Sequence, residues 1–181
     1  SSAGWISNKN RDHGDPKKQA NFTMQLVIPR ETQPGENRVS ATPETVKKLV
    51  RLGAEVVIEA GAGMGAGISD ADYEAAGASI RSDRGASMAG ADMVLRLRKP
   101  DIEEIGQLKS GCIHVSYLDP FNEQDLIKAF ASQNVTAVSM EMIPRSTRSQ
   151  KMDALSSQAN LAGYMAVMLA VIGLTACGIS F

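Results

Sequence analysis

The sequence predicts an open, doubly wound, flavodoxin-like α/β domain on a largely parallel sheet. Short apolar segments of strand length alternate with segments of helical length along most of the chain. Thr42-Pro43-Glu44 is a complete helix start: a hydroxyl cap, proline at the first helical position and an acid in the first turn. The stretches between the apolar segments are long enough for crossovers, so neighbouring strands run parallel with helices on both faces.

Each element follows in order. Residues 1–21 are polar, carry Lys9, Arg11, Lys17 and Lys18 against Asp12 and Asp15, and read as a disordered arm with no secretory apolar run. The α/β domain occupies residues 22–153. Residues 24–28 form the first strand, and the helix opened by Thr42 carries Val46, Leu49 and Val50 on one face before stopping at Gly53. Residues 55–60 are the second strand, and Ser69-Asp70-Ala71-Asp72 starts a short helix that ends at Gly77. Strands follow at 92–97, 112–116 and 135–139, with a helix over 123–133 between the last two. Residues 154–181 carry no charge and read as a buried apolar helix or a truncated connection to a further domain, in preference to a membrane span, because Ser156, Ser157, Gln158 and Asn160 fill the first turns. No internal repeat or low-complexity segment interrupts this order.

Composition narrows the function classes. The 181 residues, with 43% hydrophobic content and 22% charge, suffice for one ordinary core. A net charge of -1 gives no electrostatic reason to expect a nucleic acid. Cys112 and Cys177 lack metal or redox spacing and read as free, buried thiols. No metal site is expected.

Gly61-Ala62-Gly63-Met64-Gly65-Ala66 satisfies G-x-G-x-x-G/A after a strand, with Asp83 about twenty residues on, as in a dinucleotide fingerprint. Gly67-Ile68-Ser69 delays the helix, however, so the helix dipole would not face a pyrophosphate. The motif therefore reads as a strand-to-helix turn.

A different stretch has the composition of a site. From Pro144, residues Arg145, Arg148, Gln150, Asp153, Ser156 and Ser157 place guanidiniums, an amide, a carboxylate and hydroxyls between apolar segments. Near the start stand Ile28-Pro29-Arg30-Glu31, Pro34-Gly35-Glu36-Asn37-Arg38-Val39 and Thr42-Pro43. With Glu59-Ala60-Gly61-Ala62-Gly63-Met64-Gly65 and Asn160-Leu161-Ala162-Gly163-Tyr164, these segments resemble, in the right order from about Met24 to Val167, the NAD(H)-binding component of proton-translocating nicotinamide nucleotide transhydrogenases and the related alanine dehydrogenases.

The resemblance implies NAD(H) on this component and NADP(H) on a partner component, beside a membrane proton channel. It also implies a homodimer at the cytoplasmic or matrix face of the inner membrane. Arg145 would bond the nicotinamide carboxamide, Asp153 and Ser156 would orient that amide, and Gln150 would reach across to the partner's nucleotide. Arg38 is a further candidate, although it can equally pair with Glu31 or Glu36. The family's glycine-rich Rossmann turn lies downstream of the segments matched here, so the chain alone is expected to be inactive.

Within the superfamily, alanine dehydrogenases use a lysine and a histidine at the positions occupied here by Arg98 and Asp119. Arginine is held charged and cannot replace a titrating lysine. A carboxylate would repel an anionic oxo acid. His114 is offset from the histidine position and reads as structural. Three functions stand at this point: the NAD(H) side of a transhydrogenase, an alanine-dehydrogenase-like oxidoreductase, and a catalytically incomplete binding or assembly module.

Overall fold

The structure is a computed structural model and describes residues 24–143. The polar arm, the loop beginning at Pro144 and the apolar stretch 154–181 lie outside the described residues.

Six strands and five helices alternate: β1 (Gln25–Ile28), α1 (Pro43–Arg51), β2 (Glu55–Glu59), α2 (Asp70–Ala75), β3 (Ser79–Arg81), α3 (Arg84–Gly90), β4 (Met93–Leu95), α4 (Ile102–Ile105), β5 (Ile113–Ser116), α5 (Gln124–Ser132) and β6 (Thr136–Ser139). All pairings are parallel, in the order β3-β2-β1-β4-β5-β6. With β3 set aside, the five expected strands lie in the flavodoxin-like order 2-1-3-4-5. The short edge strand β3 extends this to 3-2-1-4-5-6, the order of a Rossmann-like sheet.

The central strands bury both faces, as parallel strands between helices must. Leu26, Ile28, Val56 and Ile58 join Val46 of α1 and Tyr73 of α2 in one core. Val27, Val57 and Val94 face the other way, with Met88 of α3, Ile105 of α4 and Leu126 and Phe130 of α5. Each fully buried aliphatic side chain contributes about 1.5–3 kcal/mol. Helix α1 begins as expected: the Thr42 hydroxyl accepts the Thr45 N–H at 3.4 Å, Pro43 follows, and Gly53 reverses the chain at a φ of +93°. Helix α2 opens with a reciprocal cap, in which Ser69 Oγ accepts the Asp72 N–H and Asp72 Oδ2 accepts the Ser69 N–H.

Three elements escape the sequence pattern. Strand β3 has three residues, with Ile80 half-buried between two exposed neighbours. Helix α3 has the composition Arg-Gly-Ala-Ser-Met-Ala-Gly, too poor in large apolar residues to show a period, and α4 is a single turn. Asp83, which the glycine motif suggests as a ribose-binding acid, instead caps α3 by accepting the Ala86 N–H at 2.9 Å.

Candidate functional site

Chain order reverses between β1 and β4, where ligands of open α/β sheets bind beyond the carboxyl ends of the strands. Glu31, three residues past β1, bridges this switch point. Its carboxylate accepts the Leu97 N–H at 2.6 Å and the Arg98 N–H at 3.2 Å, tying the exit of β1 to the exit of β4.

The turn at Pro34-Gly35, with Gly35 at a φ of +81°, brings Glu36 against two arginines. Arg38 donates through Nε to Oε1 at 2.7 Å and through Nη2 to Oε2 at 2.6 Å. Arg98 donates through Nε to Oε2 at 2.7 Å. The Glu36 side chain is only 4% exposed, whereas those of Arg38 and Arg98 are nearly half exposed. Bonding from the Arg38 side chain, opposed by burial and helped by the Arg38 N–H and by Arg98, brings the Glu36 carboxyl down to about 2.

This clasp joins the linings of two cavities. One, of about 210 Å³, is bounded by Arg30, Glu36, Arg38 and the turn Gly61, Ala62, Met64 and Gly65. The other, of about 220 Å³, is lined by Gln33, Arg98, Lys99, Tyr117, Asp119 and Glu141. Its far wall is the loop after β5, where Asp119 takes a φ of +50°. Glu141, just past β6, holds that loop by accepting the N–H groups of Leu118, at 2.9 Å, and of Asp119. Burial pushes the Glu141 carboxyl up, but the backbone N–H groups around it outweigh this and hold it below the ordinary range. The Asp119 carboxylate accepts from Asn122 Nδ2 at 2.9 and 3.0 Å. Lys99 pairs with Glu123.

Behind the crevice lies a second set of ion pairs, invisible to sequence reasoning. Arg84, at the start of α3, donates to Glu59 at the end of β2 at 2.6 Å and also reaches Glu104 of α4 at 2.6 Å. Arg96, 1% exposed at its side chain, donates to the other Glu104 oxygen at 2.7 Å and stands 3.8 Å from Glu31. The ladder Glu59–Arg84–Glu104–Arg96–Glu31 thus runs under the strand ends and stops at the residue that holds the Arg98 backbone. Glu59 also accepts the Arg30 N–H, at 2.9 Å.

The glycine turn after β2 is closed to a phosphate. The Gly61 N–H is taken by Asp70, at 2.9 and 3.1 Å to its two oxygens, and the following donors bond within the turn. Its helix begins only at Asp70, after a 3₁₀ turn over Met64–Ala66. A β-carbon on Gly63 would stand 2.7 Å from the Ile68 carbonyl and from Tyr73, so that glycine serves packing. The turn after β1 runs through Pro29, Arg30 and Glu31 and carries no glycine fingerprint. Among the described residues, neither turn offers a pyrophosphate cradle.

His114 is fully buried in β5, its ring 5.0 Å from that of Phe130; burial and then the Arg96 charge lower its imidazole to about 3. It is a neutral core residue. Cys112 is buried, and burial pushes its thiol up to about 11; Cys177 lies outside the described residues. No group of three or more metal-ligating side chains occurs among the described residues, nor does any helix there long and apolar enough to cross a membrane.

Of the residues singled out in the sequence, the structure brings Arg38, Arg98 and Asp119 to one end of the sheet, and Arg38 pairs with Glu36. Arg145, Gln150, Asp153 and Ser156 lie outside the described residues.

Known proteins share this geometry and these motifs. Residues 27–162 match the family described as alanine dehydrogenase/PNT, N-terminal domain. The chain is 43% identical over 150 residues to an NAD(P) transhydrogenase subunit alpha of Rhodospirillum rubrum, covering 80% of this chain and 39% of that one. It is 34% identical over 144 residues to an alanine dehydrogenase of Halomonas elongata, covering 80% of this chain and 38% of that one. The crystal structure of a transhydrogenase from Sinorhizobium meliloti superposes with a TM-score of 0.77 at 44% identity, over 82% of this chain and 44% of that one. The chain thus spans about two fifths of the length of these curated relatives. Its sheet order, switch-point motifs and matched residues make it a member of the alanine dehydrogenase/PNT N-terminal domain family.

Proposed function

We propose that this chain is the NAD(H)-side part of a proton-translocating transhydrogenase, in which hydride passes directly from NADH to NADP⁺ held by a partner component. The observation that carries this reading is the chemistry of the crevice where an oxo-acid dehydrogenase would need a proton-transferring pair. Arg98 stands there as a guanidinium bonded to Glu36, and Asp119 stands there as a carboxylate bonded to Asn122. A guanidinium does not give up its proton in a protein, and neither group suits an anionic oxo acid. Direct transfer between two nicotinamides needs no such pair; it needs proximity, orientation and the exclusion of water, while the cofactors supply the redox chemistry.

In this reading the loop from Pro144 does the orienting. Arg145 bonds the carboxamide of the NAD(H) nicotinamide, Asp153 and Ser156 fix that amide, and Gln150 reaches the NADP(H)-binding component. The ladder-braced strand ends hold the floor of the site. The pyrophosphate is held by a Rossmann domain beyond the segment matched here, which agrees with the closed glycine turn. The assembly is a homodimer on this side, docked to the NADP(H)-binding component and the membrane proton channel.

The complete enzyme containing this chain tests the reading. Arg145→Ala should remove a charge-assisted bond of about 1.5–3 kcal/mol, weakening NADH binding and slowing transfer without unfolding the domain. Gln150→Asn should lower single-turnover transfer more than NADH affinity, because a small misplacement of two nicotinamides costs on the order of a hundredfold in rate. Unchanged binding and turnover in the Arg145 variant would refute the assignment.

A further inference from the structure

We propose that Glu36 is a built-in anion that closes the switch-point crevice to carboxylate ligands, its carboxylate taking the place between Arg38 and Arg98 that a bound carboxylate would otherwise take. The geometry is that of a ligand complex made within the chain. Three side-chain bonds of 2.6 to 2.7 Å reach the two Glu36 oxygens from two guanidiniums on different segments, one in the loop after β1 and one past β4. Two-oxygen, two-arginine recognition of this kind is how proteins select carboxylates.

Burial within the clasp is unequal. The carboxylate is almost sealed, while both arginines keep nearly half of their side-chain surface in solvent, so the cationic groups are reachable from outside and only the anion is covered. Two positive charges share one negative charge, and the neighbouring carboxylates are committed elsewhere. Glu31 accepts from the backbone of residues 97 and 98, Asp119 from Asn122, and Glu141 from the loop after β5. Cavities of about 210 and 220 Å³ on the two sides leave room for a small acid. What excludes it is occupancy, since Glu36 is joined to Arg38 through one intervening residue and competes at an effective concentration that free solutes do not reach.

The inference is independent of the hydride-transfer reading and is tested by binding alone. Propionate, the acid that matches the side chain removed, is titrated calorimetrically into the wild-type chain and into Glu36→Ala at fixed ionic strength, with propionamide as the uncharged control. The alanine variant should bind propionate at least about tenfold more tightly than the wild type, a difference of about 1.4 kcal/mol. Propionamide should show no gain, and adding Arg98→Ala should abolish it. Equal propionate affinity in wild type and folded variant overturns the proposal, as does a gain that propionamide shares or that survives the loss of Arg98. If Glu36→Ala does not fold, Glu36→Gln keeps the volume and removes the charge; a gain in propionate affinity there supports the proposal and no gain overturns it.

Discussion

Two sets of arginine–carboxylate pairs sit within a few residues of each other at the carboxyl end of the sheet, and they differ in burial. Arg96, Glu104, Arg84 and Glu59 are largely withdrawn from water and cross-link the ends of β2 and β4 to α3 and α4. Arg38 and Arg98 hold Glu36 on a rim where both guanidiniums still meet solvent. Both sets make bonds of 2.6 to 2.7 Å, so bond length does not separate their roles. Desolvation does. A buried ladder carries a large penalty if one member is lost and therefore locks geometry, whereas a rim clasp can exchange partners with water or solute at little cost. Glu31 connects the two, since it stands beside Arg96 and also holds the Arg98 backbone. The rigid set thereby positions the exchangeable one.

The largest effect that would break this contrast lies in the ladder. Glu104 serves both Arg84 and Arg96, so Glu104→Ala leaves two guanidiniums, one fully buried, without their shared anion. Loss of one partner of a buried pair costs about 3–5 kcal/mol. Urea denaturation should show that fall in stability, and the same measurement on an Arg84→Leu, Glu104→Leu, Arg96→Met triple variant should show a smaller loss, because no orphaned charge remains. A single-variant loss below about 1 kcal/mol would mean that the ladder is hydrated and no stiffer than the rim.

The sequence shows these two sets unequally. Strands β1, β2, β4, β5 and β6 and helices α1, α2 and α5 were legible because their own residues carry the signal: Thr42-Pro43-Glu44 marks a helix start wherever it stands. Strand β3 has one apolar residue, α3 two glycines in seven, and α4 one turn, so tertiary contacts decide them and periodicity cannot. At the site, Arg38, Arg98 and Asp119 could be picked out by their place beside turn motifs, but the choice between Glu31 and Glu36 as partner of Arg38 depends on how the Pro34-Gly35 turn aims the chain. The ladder was illegible for a plainer reason: its members are spread over residues 31–104 and meet only once β1, β2 and β4 are side by side. Had the arginines that follow strands been asked which acids end neighbouring strands, Glu59 would have been the first candidate.

An intermediate effect should appear with pH. Glu36 titrates near its ordinary 4.5 in the unfolded chain and near 2 in the folded one. The unfolded state therefore binds its proton first as pH falls, so the contribution of Glu36 to stability is complete above about pH 4.5 and is lost as pH falls from there through 2. Denaturation midpoints measured from pH 6 to pH 2 should decline across that window in the wild type and decline less steeply in Glu36→Gln. Parallel curves would place the acid sensitivity elsewhere and make the clasp as inert as any surface pair.

The smallest effect is the most discriminating. Arg98→Ala removes one of the two arginines from Glu36 but leaves both Arg38 side-chain bonds, and the Arg98 N–H to Glu31 belongs to the backbone and survives the substitution. The stability cost should therefore be that of a half-exposed ion pair, about 0.2–1 kcal/mol. Salt separates this from a packing loss, because the Debye length falls from about 10 Å at 0.1 M to about 3 Å at 1 M. The difference between wild type and Arg98→Ala should thus shrink towards zero in 1 M sodium chloride, while the deficit of Glu104→Ala, set by a desolvated charge, should largely persist. If both deficits vanish in salt, the two sets are equally hydrated and the distinction between a locking ladder and an exchangeable clasp fails. If neither does, Arg98 is held by packing of its aliphatic stem, and Glu36 owes its place to the turn instead of its charge.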